Sequence, residues 1–166
     1  MKEEKAKLIV QGMKEAGVDF AVGVPDAQFI EVYKMLERSE SGIRYVGAVN
    51  EAEAAGICMG AWAGGKKPAL VIATSGLLVA TYHIARINLL HEIPLLILIP
   101  YRGDLGDPRW LGMYQKTTEP ALRAMDVPYR VVRRSEDVVR TIKECHESAR
   151  AWLRSAAVLF TEEALW

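Results

Sequence analysis

Glu51 closes a branched, strand-like run and opens a helix-like one, Asn50-Glu51-Ala52-Glu53. Asn50 suits the N-cap, and Glu53 is spaced to reach back to the cap amide, which gives Glu53 a structural duty. Glu51 has no such duty. At the first helical position, at the carboxyl end of a strand, it either complements the helix dipole as a surface acid, worth about 0.3–1 kcal/mol, or serves a ligand there. Asp26, in Gly23-Val24-Pro25-Asp26, ends a strand and starts a helix, where it either caps that helix or serves a ligand at the strand's carboxyl end. Thr74-Ser75-Gly76 follows an apolar run directly. Its hydroxyls and bare backbone suit hydrogen bonds to a polar heterocycle or an anion, or simple capping by Ser75. Arg102 and Arg109 lie in a turn-rich stretch from Pro100 to Thr117, read as one long loop. A guanidinium there can fork onto an anionic substrate or stay solvated.

Other chemistries find no support in the residue pattern. The Gly-rich spacings of a P-loop and of a dinucleotide fingerprint are absent. His83, His91 and His146 are scattered, and no acid or cysteine completes a metal-ligand set with them. His146 is expected on the exposed flank of the last long helix. Cys58 and Cys145 stand far apart and read as small buried thiols.

The elements that must position the acids follow from hydrophobic periodicity. Strands are expected at Val18–Val22, Ile43–Ala48, Ala69–Ala73, Leu95–Ile99, Tyr129–Val132 and Ala157–Phe160. The third and fourth are apolar on both faces, as central strands of a parallel sheet are. Helical stripes fall between them, Phe29 to Leu36 in one and Val138, Ile142, Cys145, Ala149 and Trp152 in another. Strand–helix alternation implies a doubly wound α/β fold: a six-stranded, mainly parallel sheet with helices on both faces, residues 1–166 as a single domain. Ligands of such sheets sit beyond the carboxyl ends of the strands, where Asp26, Glu51, Thr74 and Arg102 all fall. The helix after Glu51 carries Gly56, Gly60 and Gly64 on one face, so something is expected to pack close to it. Each mid-helix glycine costs about 1 kcal/mol against alanine.

Composition narrows the function further. The chain has 166 residues, with 21 Lys and Arg against 21 Asp and Glu. Zero net charge without a basic run argues against unspecific nucleic-acid binding. The longest apolar stretch, Ile93 to Pro100, falls far short of the ~20 residues of a membrane span. The acidic, non-apolar N-terminus is not expected to act as a signal peptide, and a cytoplasmic protein is expected.

Several segments together resemble a known family. They are Val24-Pro25-Asp26, the helix start at Glu51, Gly60 to Pro68, Thr74-Ser75-Gly76-Leu77, Glu92 to Leu96, Arg102-Gly103-Asp104-Leu105-Gly106 and Val127-Pro128-Tyr129. The pattern is similar to the pyrimidine-binding domain of thiamine-diphosphate enzymes, and within that family to the sulfopyruvate and phosphonopyruvate decarboxylases. It covers nearly the whole chain. The resemblance implies that Glu51 hydrogen-bonds N1′ of the cofactor's aminopyrimidine. It also implies that Asp26 lies near the reacting centre and that Thr74, Ser75 and Gly76 line the pyrimidine pocket. The implied reaction is decarboxylation of a small anionic 2-keto acid, foremost sulfopyruvate to sulfoacetaldehyde and CO₂. Phosphonopyruvate decarboxylation, another thiamine-diphosphate activity and a non-catalytic regulatory or scaffolding role are the alternatives. Arg102 and Arg109 suit any such anion and do not choose among them.

Two departures from the family pattern matter. Leu78 and Val79 stand where relatives commonly have Gly and Asn, which leaves substrate identity and activity open. The family's Gly-Asp-Gly run with a following Asn, which holds the diphosphate and Mg²⁺, is absent. The resemblance therefore implies a β subunit carrying the diphosphate-binding domain and the Mg²⁺ ligands, a hetero-oligomer, and an active site shared between chains.

Overall fold

The structure, a computed structural model, describes residues 1–38, 41–104 and 106–165; Leu105, part of one family-like segment, lies outside them. The six strands are β1 (Phe20–Gly23), β2 (Arg44–Gly47), β3 (Pro68–Val71), β4 (Leu96–Pro100), β5 (Tyr129–Val132) and β6 (Ala156–Phe160). They form one sheet in the order β2-β1-β3-β4-β6-β5, every pair parallel. All six expected strands are present, with ends moved by at most two residues.

Strand period sorts side chains to the two faces. Ala69, Val71, Leu96 and Leu98 join one core, and Leu70, Ile72, Ile97 and Ile99 join the other. The first core is covered by α1 (Glu3–Glu15), α2 (Ile30–Glu37) and α7 (Val138–Trp152). The second is covered by α3 (Glu51–Ala63), α4 (Thr74–Val79), α5 (Thr81–Ala85) and α6 (Gly112–Ala124). A short α8 (Glu162–Leu165) follows β6. Among the described residues no helix is long and apolar enough to cross a membrane.

The strand order reverses at β1. From β1 the chain turns outward to β2, then crosses back to place β3 on the other side of β1. Loops therefore diverge between β1 and β3, and a crevice opens at their carboxyl ends.

Three local expectations need correction. The stretch from Pro100 to Thr117 is not one long loop: an irregular segment ends at Pro108, a 3₁₀ turn covers Arg109–Leu111, and α6 begins at Gly112. Pro120, inside α6, hides this helix from periodicity because proline donates no N–H and usually marks a break. Trp152 ends the apolar stripe of α7 in sequence but is 61% exposed; it is the last residue of the helix, and the chain turns through left-handed Leu153 immediately after it. His146 is not on an exposed flank. α7 packs between the sheet and α1, so its buried surface widens to include Thr141 and His146, the latter only 2% exposed.

Burial, and then the charges of Arg150 and Lys67, push the His146 imidazole from 6.5 down to about 4. The folded chain thus holds His146 neutral where the unfolded chain takes up a proton. This contribution to stability is complete above the unfolded value and is lost as pH falls from 6.5 toward 4. Urea midpoints measured across that window should drop by the equivalent of about 2–3 kcal/mol, and His146→Leu should remove most of the slope.

Candidate active site

Gly23 ends β1 with Val71 of β3 as its neighbour in register. A Cβ at Gly23 would stand 2.5 Å from the Val71 carbonyl oxygen and 2.9 Å from Cε1 of Tyr33. Glycine is thus what lets the Tyr33 ring lie against the sheet end, where its hydroxyl donates to the Val71 carbonyl at 3.2 Å. Burial raises the pKa of this phenol well above its usual range, and the charges of Asp26, Tyr45 and Glu51 raise it further. Asp26 and Glu51 therefore act on one buried ring from two different loops.

The loop after β2 delivers Glu51. Asn50 Oδ1 accepts from the Glu53 amide at 2.9 Å, the N-cap bond expected of it. Glu53 Oε2 accepts from the Val49 amide at 2.7 Å, one residue earlier than a reciprocal capping box requires. Both polar neighbours of Glu51 are thereby engaged. Glu51 itself is half-buried, and its side chain makes no hydrogen bond or ion pair among the described residues. Its side chain lies across Gly76: a Cβ there would stand 2.5 Å from both Cγ and Oε1. The carboxylate is held by packing and remains chemically free.

The loop after β3 runs straight into α4. Ala73 is the N-cap and no side chain caps this helix, so Ser75 is not spent on capping. Thr74 is buried and donates its hydroxyl to the Pro100 carbonyl, which ties the end of β3 to the end of β4. Ser75 is exposed toward the crevice. Asp26 does not cap α2, which starts at Ile30; its Oδ1 accepts from the Gln28 amide at 2.7 Å in an Asx turn.

These loops enclose a cleft of about 240 Å³ whose walls include Asp26, Gln28, Ser75, Arg102, Trp110 and Tyr114. Thr74 also lines it; Glu51 is not one of the lining residues and lies against Gly76, next in sequence to Ser75 of the wall. Arg102 reaches the cleft with two of its three guanidinium nitrogens engaged: Nη1 donates to Gln28 Oε1 at 2.6 Å and Nη2 lies 2.9 Å from Asp107 Oδ1, while Nε is buried without a partner among the described residues. Asp107 is 3% exposed and also accepts from the Gly103 amide at 2.6 Å. Gly103 has φ 88°, and a Cβ there would meet the Leu111 carbonyl at 2.6 Å. Gly103 and Asp107 are thus tied to each other and to Arg102 ahead of α6. Arg109 is exposed and does not line the cleft.

Gln28, Trp110 and Tyr114 were not legible as site residues in the sequence. The four-residue spacing of Trp110 and Tyr114 puts them on one side of a helical turn, a signal masked by reading this segment as loop. Asp107→Ala should strand the Gly103 amide and the Arg102 guanidinium. A thermal-melt series should show a loss of about 1–3 kcal/mol, with Asp107→Asn falling between.

An α/β domain with a free acid beside a cleft at its switch point is the architecture of a ligand-binding enzyme domain. Residues 4–99 match the thiamine pyrophosphate enzyme N-terminal TPP binding domain, and the chain belongs to that family. It is 29% identical over 160 residues to the sulfopyruvate decarboxylase subunit alpha of Methanothermobacter thermautotrophicus, covering 96% of each chain. It is 31% identical to the protein of that name from Methanocaldococcus jannaschii, over 81% of this chain and 80% of the relative. Among solved structures, 2-oxoglutarate:ferredoxin oxidoreductase from Magnetococcus marinus superposes with a TM-score of 0.78 at 17% identity. Benzoylformate decarboxylase from Polynucleobacter necessarius does so at 0.69 and 19%. These two show the shared fold; this chain covers 29% and 30% of their lengths.

The residues present fit the pyrimidine end of the cofactor in their chemistry: a basic heterocycle needs an acid, and Glu51 is a carboxylate without a side-chain partner among the described residues, given room by Gly76. They do not fit a divalent metal: among the described residues no three His, Cys, Asp or Glu side chains gather as a metal site.

Proposed function

We propose that this chain is the pyrimidine-side half of a thiamine-diphosphate-dependent decarboxylase acting on a small anionic 2-keto acid, with sulfopyruvate the foremost substrate and sulfoacetaldehyde and CO₂ the products. The observation that carries it is the free Glu51 carboxylate laid across Gly76. The names of the curated relatives support the reaction and substrate.

Glu51 holds and exchanges the proton at N1′ of the aminopyrimidine, which Gly76 lets come close. When bound, the cofactor supplies a thiazolium ring that accepts the electron pair left as CO₂ departs. Thr74 fixes the β3–α4 loop, and Ser75 offers its hydroxyl to the ligand. Asp26, held by its Asx turn, handles a proton near the reacting carbon. Arg102 gives the cleft a positive wall that is partly neutralised by Asp107, which suits orientation of an anion more than tight capture. Arg109, on the surface, remains only as a residue that could steer an anion toward the cleft. The cleft's volume, about 240 Å³, is below the ~300–1,000 Å³ of sites for larger ligands and suits an acid of a few atoms.

Diphosphate and Mg²⁺ contacts come from a β subunit in this reading. The relatives' designation as subunit alpha supports a second chain. So does the open glycine face of α3, where a Cβ at Gly56 or Gly60 would meet nothing within 4 Å. The test is a turnover screen of the reconstituted pair, with Mg²⁺ and thiamine diphosphate, against sulfopyruvate, phosphonopyruvate and pyruvate. CO₂ release fastest from sulfopyruvate supports the reading, preference for phosphonopyruvate reassigns the substrate, and no turnover of any supports a non-catalytic role.

A further inference from the structure

The parallel sheet puts all strand starts at the end opposite the crevice, and a second cleft of about 310 Å³ lies there. Its walls are Trp62, Lys66, Lys67, Pro94, His146 and Arg150, with Gly65 at the rim. Lys66 is partly occupied by Asp19, 3.7 Å away. Lys67 and Arg150 are exposed residues and pair with no carboxylate among the described residues. Asp19, the acid of this corner, is already engaged by Lys66 and by the Lys67 amide, which donates to its Oδ1 at 2.8 Å.

His146 makes this more than a patch of surface charge. His146 is 2% exposed and lines the cleft, yet neither ring nitrogen has a hydrogen-bond partner among the described residues. A buried imidazole must carry at least one N–H, and leaving such a donor unpaired costs about 1–3 kcal/mol. The chain also sets two cations beside it without a counter-charge. An anion seated between Lys67 and Arg150 would supply the missing counter-charge, with the guanidinium fork matching the geometry of a tetrahedral oxyanion. Both ring nitrogens of His146 are buried, so a small turn of the ring toward the cleft would be needed to bring its N–H to the anion. Trp62 and Pro94 supply an apolar wall next to that charge.

We propose that this cleft, between the α3–β3 loop and α7, binds a small phosphate-class oxyanion through Lys67, Arg150 and His146. The site is built by this chain alone and does not depend on the proposed decarboxylase activity. Calorimetric titration of the full chain with inorganic phosphate, at ionic strength held constant with sodium chloride, reads it directly. One saturable site per chain is expected, accompanied by a shift of the His146 ring proton signals in NMR. Lys67→Gln and Arg150→Gln alter only exposed residues, so the fold should persist by circular dichroism while affinity falls at least tenfold in each. Absence of saturable binding overturns the proposal, as does an affinity that neither substitution changes.

Discussion

Glu51→Gln should lower kcat of the assembled enzyme by about 10²–10⁴, the usual worth of a positioned acid–base group. Glutamine has nearly the same shape, so it can still lie across Gly76 and leave the half-buried end of α3 packed as before. An amide can hydrogen-bond a ring nitrogen, but it cannot take up or return a proton. The loss should therefore appear in turnover and not in assembly. Size-exclusion profiles of the reconstituted pair should be unchanged, and thermal midpoints should move little because the carboxylate has no internal partner to lose. Full activity in the variant would remove Glu51 from the chemistry.

Gly76→Ala should separate function from stability even more sharply. The new methyl would lie 2.5 Å from Glu51 Cγ and Oε1 and 2.7 Å from Cδ. The atoms in the way belong to a mobile side chain, so the carboxylate swings aside and the backbone keeps its place. Restoring ordinary contact takes a shift of about 1 Å, and a displacement of that size in a catalytic group can cost about 10²-fold. Alanine in the first turn of α4 gains up to about 1 kcal/mol of helix propensity over glycine. The expected signature is a thermal midpoint equal to or above the parent, with kcat down about 10²-fold. An effect on stability alone would mean that Gly76 is there only for packing.

The fold was legible because its strongest signals are local. Branched apolar runs such as Leu95 to Ile99 can only be central parallel strands when helices alternate with them, and β4 lies at that position in the sheet with both faces buried. Asn50 and Glu53 were legible as a helix start, which isolated Glu51 as the acid without a structural duty. What escaped was set by tertiary context. Asp26 and Ser75 have the composition of helix caps, yet the chain spends neither on a cap. His146 sits one position beyond the residues of the apolar stripe of α7, and only the tertiary fold, which brings the Gly65–Lys67 loop and Pro94 to the same cleft, shows it to be buried. Arg102 and Arg109 are alike in sequence, and only the fold of the Gly103–Asp107 turn sends the first into the cleft and leaves the second outside. Trp110 and Tyr114 were hidden by a helix that contains a proline.

The most direct measurement is the rate at which the C2 proton of thiamine diphosphate exchanges for deuterium in the reconstituted pair, by quenched-flow NMR at equal cofactor occupancy. No substrate is needed, so substrate identity cannot confuse the result. With Glu51 as the proton partner of the pyrimidine ring, exchange in the parent should exceed that in Glu51→Gln by about 10²-fold or more. Equal exchange rates in the two proteins would contradict that role.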